Sequence, residues 1–254
     1  MSVALNQQVV LISGAGRGLG AAIARAFARE GAKVALNYRN SETAARQLAE
    51  AIGPQAKAFK ADITQPEQVM AMVGDIQASL GATTTLVHNA LADFSFNGPA
   101  RPLLDSLQWG ALHDQLQTSV GGALNLVQAL LPVFKAQQFG RVITIGTNLV
   151  QNPVVPYHDY TAGKAALLAF TRTAARELGP LGVTVNMVSG GLLRTTDASA
   201  ATPAAIFDLI AQQTPLGKVT TPAELADAVL FFASPWARAV TAQNLIVDGG
   251  LVSG

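Results

Sequence analysis

A short apolar run, Val9-Val10-Leu11-Ile12, leads directly into Ser13-Gly14-Ala15-Gly16-Arg17-Gly18-Leu19-Gly20. Continuous apolar character without alternation suits a strand buried on both faces, the environment of a parallel sheet. Ala21 to Glu30 then has helical composition, Gly31 stands where a left-handed cap would stop a helix, and Val34-Ala35-Leu36 supplies the next strand. Strand, glycine turn, helix and strand in that order make a βαβ unit. Parallel strands need such crossovers, so this segment commits the chain to an α/β fold. Glycines at the turn let a pyrophosphate approach without Cβ clashes, and the helix start offers unpaired N–H groups to its charge. A dinucleotide is the expected ligand.

The rest of the chain continues the pattern. Leu86-Val87, Val142-Ile143-Thr144-Ile145, Val183-Thr184-Val185 and Leu245-Ile246-Val247 alternate with helical stretches. Such alternation predicts a doubly wound parallel sheet, a Rossmann fold flanked by helices, with ligands at the carboxyl ends of the strands. At 254 residues and 50% hydrophobic composition, residues 1–254 are expected to form a single domain. A net charge of +1 provides no broad basic field for nucleic acid and no polybasic run for an anionic membrane. The absence of cysteine excludes disulfides and thiol nucleophiles. His88, His113 and His158 have no paired helical spacing, so no metal site is expected. Met1 to Asn6 carries no cationic patch or cleavage-like run, and no apolar segment spans a membrane without charges or turn residues breaking it. A cytoplasmic location is expected.

Tyr160 and Lys164 stand four residues apart in an alanine-rich helical stretch and project from one face. An ammonium beside a phenol stabilises the phenolate and lowers a pKa that is otherwise about 10. The hydroxyl of Thr147 could complete a site that hydrogen-bonds a carbonyl oxygen. The cofactor can also be chosen. An acidic residue about twenty positions after the glycines would accept bonds from a ribose 2'-OH and repel a 2'-phosphate. Asn37 holds that place, while Arg39 and Arg17 could converge on a phosphate, which favours NADPH over NADH.

Gly14, Gly18 and Gly20, Asp62 after the third strand, Asn89-Ala90 after the fourth, Tyr160 with Lys164, and Val247-Asp248-Gly249-Gly250 occur in the order found in short-chain dehydrogenases/reductases. The chain resembles that family over essentially its whole length, and within it the 3-oxoacyl-acyl-carrier-protein reductase type. The resemblance implies that Tyr160 donates a proton to a carbonyl oxygen while NADP(H) delivers hydride. It implies that Lys164 binds the nicotinamide ribose and lowers the tyrosine pKa, and that a serine-type hydroxyl, here Thr147, orients the substrate. Gly16, Leu19, Ile63, Gly190, Gly191 and Leu193 join Gly14, Arg17, Gly18, Gly20, Asn37, Arg39, Asp62, Asn89 and Ala90 in the implied cofactor site. Thr195 is expected to bond the nicotinamide amide.

The departures matter too. Ser119 stands at the position of the family's relay asparagine and has neither the reach nor the paired donor and acceptor of an amide, which weakens a relay through Lys164. His88 and Leu91 replace an asparagine and a glycine, and Ser189-Gly190-Gly191 stands where Pro-Gly is typical, loosening the backbone. Together they suggest a divergent reductase with an unusual substrate or reduced turnover.

Leu91 to Trp109, carrying Phe94, Phe96, Pro99 and Pro102, reads either as an apolar lip on the substrate pocket or as a loop anchored to the core. Residues of about 192–215 match the family's lid. The broad apolar surface of Thr161 to Leu178 and the resemblance imply a homotetramer. The expected partners are a small carbonyl substrate and, by resemblance, acyl carrier protein. Other small ketones, pterins, quinones or sugars remain open as substrates, as does a nucleotide-binding regulatory protein with weakened turnover.

Overall fold

The computed structural model describes residues 3–97 and 101–253, so Pro99 lies outside the described residues. Seven parallel strands form one sheet in the order β3-β2-β1-β4-β5-β6-β7. They are β1 (Val9–Ile12), β2 (Lys33–Tyr38), β3 (Ala56–Lys60), β4 (Thr85–His88), β5 (Gly140–Thr147), β6 (Val183–Gly190) and β7 (Asn244–Val247). Every residue of β1, β4, β5 and β6 is buried, as the continuous apolar runs require.

Helices cover both faces. On one side α1 (Gly18–Arg29) packs against α8 (Pro222–Ala233), bringing Ile23, Phe27, Leu225, Val229 and Phe232 into one core layer with Val10, Ile12 and Val188. On the other, α3 (Pro66–Ser79), α5 (Gly122–Gln137) and α6 (His158–Leu178) bury Val69, Ile76, Leu126, Leu130, Phe134 and Leu178 against Leu11, Leu86 and Val185. In α5 the buried residues recur at helical spacing, Ala123, Leu126, Val127, Leu130 and Phe134. The start of α8 is fixed by a capping box, in which the Thr221 hydroxyl accepts from the Glu224 N–H and the Glu224 carboxylate accepts from the Thr221 N–H. The remaining helices are α2 (Glu42–Ile52), α4 (Trp109–Leu116) and α7 (Ala204–Gln213), the last lying within the 192–215 segment.

The strand order reverses direction between β1 and β4. Chain leaving β1 passes over one face toward β2, and chain arriving at β4 comes from the other face, so a crevice opens at their carboxyl ends. Between α4 and α5 the helix carries a π-turn over Gln117–Gly121, a local widening that frequently marks a functional site. The helical run Trp109–Gln137 is long and apolar enough by composition to cross a membrane, but its Leu126, Val127, Leu130 and Phe134 are buried in the second core layer.

Phe134 is fully buried, in contact with the Gly140 backbone that begins β5. Phe134→Ala is expected to lower unfolding free energy by about 3–5 kcal/mol, through lost transfer energy and an unfilled cavity. Urea denaturation followed by circular dichroism measures it, and a loss below about 1 kcal/mol would show that this layer collapses around the gap.

Candidate active site

A cavity of about 650 Å³ lies along the carboxyl ends of the strands. Its floor begins at the glycine turn. Gly14 has φ +64 and an added Cβ would stand 2.9 Å from the Ala90 Cα, so both the turn and the approach of β4 exclude a side chain there. Asn89 braces the same turn, its amide donating to the Ser13 and Gly14 carbonyls at 3.1 Å each. The Ser13 hydroxyl accepts from the backbone N–H groups of Asn89 and Ala90, both at 3.0 Å. α1 starts at Gly18, and among the described residues no side-chain cap bonds its first N–H groups, which leaves them available to an anion.

The sequence-predicted residues Gly14, Arg17, Gly18, Leu19, Gly20, Asn37, Arg39, Asp62, Ile63, Asn89, Ala90, Gly190, Gly191 and Leu193 all line this cavity, together with Tyr160 and Lys164. Four expected residues do not, and one of them needs correction. Gly16 packs against the start of α2, where an added Cβ would meet the Ser41 hydroxyl at 2.5 Å. Thr147 is buried and hydrogen-bonded to the phenol of Tyr160. Ser119 is fully buried. Thr195 is exposed, and Thr196 takes the cavity-facing place because Ser199 pins it inward: the Thr196 N–H donates to the Ser199 hydroxyl at 2.9 Å, and that hydroxyl donates to the Leu193 carbonyl at 2.8 Å.

Asn37 is at the cavity wall, but its amide serves the protein. Its Oδ1 accepts from the Gly14 N–H at 3.4 Å and its Nδ2 donates to the Ala61 carbonyl at 3.0 Å, tying the glycine turn to the end of β3. Gly190 is likewise tighter than expected. A Cβ there would stand 2.5 Å from Leu225, so close packing against α8 replaces the loosened backbone predicted for Ser189-Gly190-Gly191. Asn40 and Ser41, which follow Arg39 into α2, also line the cavity and were missed; their signal was the small polar pair at a helix start just beyond the second strand.

At the far end of the cavity α6 presents Tyr160 and Lys164 from adjacent turns, both buried. Burial pushes the phenol up to about 12, opposed by the Thr147 hydrogen bond, whereas the sequence led us to expect a lowered value. The reason is geometric. The Lys164 ammonium donates to the Ile145 carbonyl at 2.8 Å and lies 5.8 Å from the centre of the phenol ring, so desolvation outweighs its charge. Burial also brings Lys164 itself down to about 8.

Phe94 and Phe96 line the cavity and also pack on Tyr160. Phe94 stacks on the phenol at 4.7 Å between centroids and 27° between planes, while Phe96 meets it edge-on at 5.5 Å. The two readings of the 91–109 segment, lip and anchor, therefore hold together.

Behind Lys164 lies a group whose role the sequence did not disclose. His88 is buried, its Nε2 2.9 Å from the Ser119 carbonyl in the π-turn and its Nδ1 3.2 Å from the Ser13 hydroxyl. A neutral ring donating from Nε2 and accepting at Nδ1 satisfies both contacts and leaves the Ser13 lone pairs for Asn89 and Ala90. Burial, aided by the nearby Lys164 charge, pushes its pKa down to about 3. The Ser119 hydroxyl beside it is buried without a hydrogen-bond partner among the described residues.

With this geometry in hand, comparison with known proteins is informative. Residues 14–252 match the family described as enoyl-(acyl carrier protein) reductase. The chain is 33% identical to the 3-oxoacyl-[acyl-carrier-protein] reductase FabG of Vibrio cholerae over 97% of its own length and 98% of the relative's. It is 31% identical to FabG of Escherichia coli over 96% and 97%. Among solved structures, a gluconate 5-dehydrogenase from Burkholderia cenocepacia, in complex with NADP and tartrate, superposes with a TM-score of 0.88 at 30% identity over 99% of this chain and 97% of that one. The chain belongs to the short-chain dehydrogenase/reductase family of oxidoreductases.

The buried histidine gives a pH signature. The unfolded chain protonates His88 below its ordinary value of 6.5 while the folded ring resists down to about 3, so stability falls as pH drops through that window. Urea denaturation between pH 6.5 and about pH 5 should give a slope approaching about 1.4 kcal/mol per unit, which His88→Gln flattens. An unchanged slope in the variant would refute the neutral buried ring.

Proposed function

We propose that the protein is an NADP(H)-dependent carbonyl reductase, with a 3-oxoacyl thioester carried on acyl carrier protein as its substrate. The observation that carries the reading is the junction of the glycine-floored cavity with a buried phenol that touches the Thr147 hydroxyl and shares a helix face with Lys164. The cavity residues fit a phosphorylated dinucleotide: Gly14 leaves room for a pyrophosphate, the start of α1 faces it, and Arg17 and Arg39 supply guanidiniums where Asn37 puts no carboxylate. Bound there, the reduced nicotinamide supplies hydride.

The chain's own residues do the rest. Tyr160 holds its proton at neutral pH, because burial keeps its pKa near about 12, and presents it to the carbonyl oxygen as negative charge develops. Thr147 steadies the phenol through its hydroxyl bond, and the aromatic side chains packed on the phenol exclude water. Lys164 is charged at pH 7 and loses that charge above about pH 8, so its hold on ribose hydroxyls and its supply of a replacement proton weaken there. The similarity to the FabG proteins supports the thioester substrate, and the likeness to the gluconate 5-dehydrogenase makes polyols and their ketones the natural comparison. Exposed Trp109 on α4 and Val154 ahead of α6 are apolar surface suited to the assembly of identical subunits, with a tetramer as the proposed state.

Loss of reduced-nicotinamide absorbance with acetoacetyl thioesters, measured beside keto-sugar acids, tests the activity. Tyr160→Phe should lower kcat by about 10²- to 10⁴-fold and leave nucleotide affinity unchanged, whereas Lys164→Ala harms both. Undiminished turnover in the phenylalanine variant would remove the proton donor. Replacing Arg17 and Arg39 together by alanine should weaken NADPH binding by about tenfold or more and leave NADH binding unaltered, as measured by calorimetry. Equal losses for both nucleotides would count against a 2'-phosphate site.

A further inference from the structure

The surroundings of the phenol on the substrate side form one connected cluster. The Phe94 ring contacts two planar groups, the Arg101 guanidinium 4.2 Å from its centre and the Tyr160 ring stacked at 4.7 Å. Arg101 is itself anchored by an ion pair to Asp159, with side chains only 16% and 5% exposed. A buried pair of this kind is hard to separate, because each charge would be left unpaired in a low-dielectric setting. Asp159 precedes Tyr160 on α6, so the phenol, the ring that covers it and the cation that clamps the ring share one support. Phe96 closes the remaining side, edge-on to Phe94 at 5.2 Å, and is tied to the 192–215 segment through its N–H on the Ala198 carbonyl at 3.1 Å.

We propose that Phe94, clamped by the Arg101–Asp159 pair, is a specificity-determining residue that ends the substrate channel against Tyr160, so that short acyl chains and compact ketones are accepted and long acyl chains are refused. This rests on Tyr160 being the proton donor. A carbonyl must bring its oxygen to the phenol, and the substituents on its carbon must then lie beside the phenol, where Phe94 and Phe96 stand. A ketone with small substituents fits without moving a ring. A long chain has to displace Phe94, which breaks a stack, a cation–π contact and the packing over a buried ion pair together. Arg101 and Asp159 act through Phe94 and are positioning residues.

Two measurements test this. In the first, kcat/KM is compared for acetoacetyl and 3-oxododecanoyl thioesters. The unaltered protein should favour the short substrate, and Phe94→Ala should shift the ratio toward the long one by about tenfold or more. Arg101→Met, which keeps bulk but loses the charge and the planar face, should shift it in the same direction through a fall in KM for the long substrate. A ratio unmoved by Phe94→Ala overturns the proposal. The second does not need turnover: ultraviolet titration of tyrosine ionisation, with Tyr160→Phe as blank, reads how well the phenol is covered. In Phe94→Ala the Tyr160 transition should move about one pH unit toward its ordinary value, and an unmoved transition shows that Phe94 does not seal the phenol. If no ketone is reduced by any variant, the reductase reading fails, and the titration alone decides whether Phe94 is the seal. Should Phe94→Ala not fold, Phe94→Leu, which removes the planar stack and keeps apolar volume, takes its place in both measurements with the same expected directions.

Discussion

The Ser13 hydroxyl joins the parts on which this site depends. It accepts the backbone N–H groups of Asn89 and Ala90 and contacts His88, whose other nitrogen reaches the Ser119 carbonyl in the π-turn. The end of β1, the end of β4 and the helix that crosses behind Lys164 are thereby held in register through one oxygen. Loss of that oxygen would leave two backbone donors and an imidazole nitrogen unsatisfied inside the protein, and buried unsatisfied groups cost more than the bonds themselves contribute. The crevice at the strand reversal is a consequence of topology, but its width at the glycine turn is set by this junction, where Gly14 and Ala90 approach to within a side chain's exclusion distance.

At the chemical end of the cavity, burial and charge act against each other. From spacing alone, an ammonium near a phenol should acidify it. In the folded protein desolvation wins for both groups, raising Tyr160 from 10.0 to about 12 and lowering Lys164 from 10.5 to about 8. The carbonyl of Ile145 accepts a hydrogen bond from the ammonium, which lies 5.8 Å from the centre of the phenol ring. A protonated phenol is the state required to give a proton to a carbonyl, and it suits reduction better than oxidation.

Much of this was legible in the sequence where side-chain chemistry and strand position coincide. β1 is the Val9-Val10-Leu11-Ile12 run without change, because full burial on both faces leaves an uninterrupted apolar signature. β3 gave no such signature: Ala56-Lys57-Ala58-Phe59-Lys60 lies at the edge of the sheet and is only partly buried. The cavity-lining glycines and the Tyr160–Lys164 pair could be read from spacing. Thr195 was misplaced by one residue, since the inward turn at Thr196 is decided by Ser199 three positions later, a contact that no motif records. His88 read only as a replacement for the family's asparagine, because its partners, Ser13 and Ser119, come from distant parts of the chain. The clamp of Arg101 on Phe94 was equally hidden, for it requires Asp159 to arrive from α6.

The cavity's two guanidiniums illustrate how weak contacts can prepare a strong site. Arg17 lies 3.4 Å from Asp197 in the 192–215 segment, and Arg39 lies 3.7 Å from Asp62 at the end of β3. Arg17 and Asp197 are both largely exposed, and pairs of that kind contribute about 0–1 kcal/mol. They are enough to keep a flexible side chain near the cavity mouth, yet a phosphate with bidentate geometry replaces them at small expense. Asp197 differs from Asp62 in where it sits. It belongs to the 192–215 segment and pairs with the glycine turn, whereas Asp62 is held by the Thr64 N–H and hydroxyl at 2.9 and 2.8 Å. Under the proposed reading, the cofactor's phosphate draws Arg17 from an exposed carboxylate and Arg39 from one that Thr64 already holds, so neither exchange leaves a buried charge unpaired.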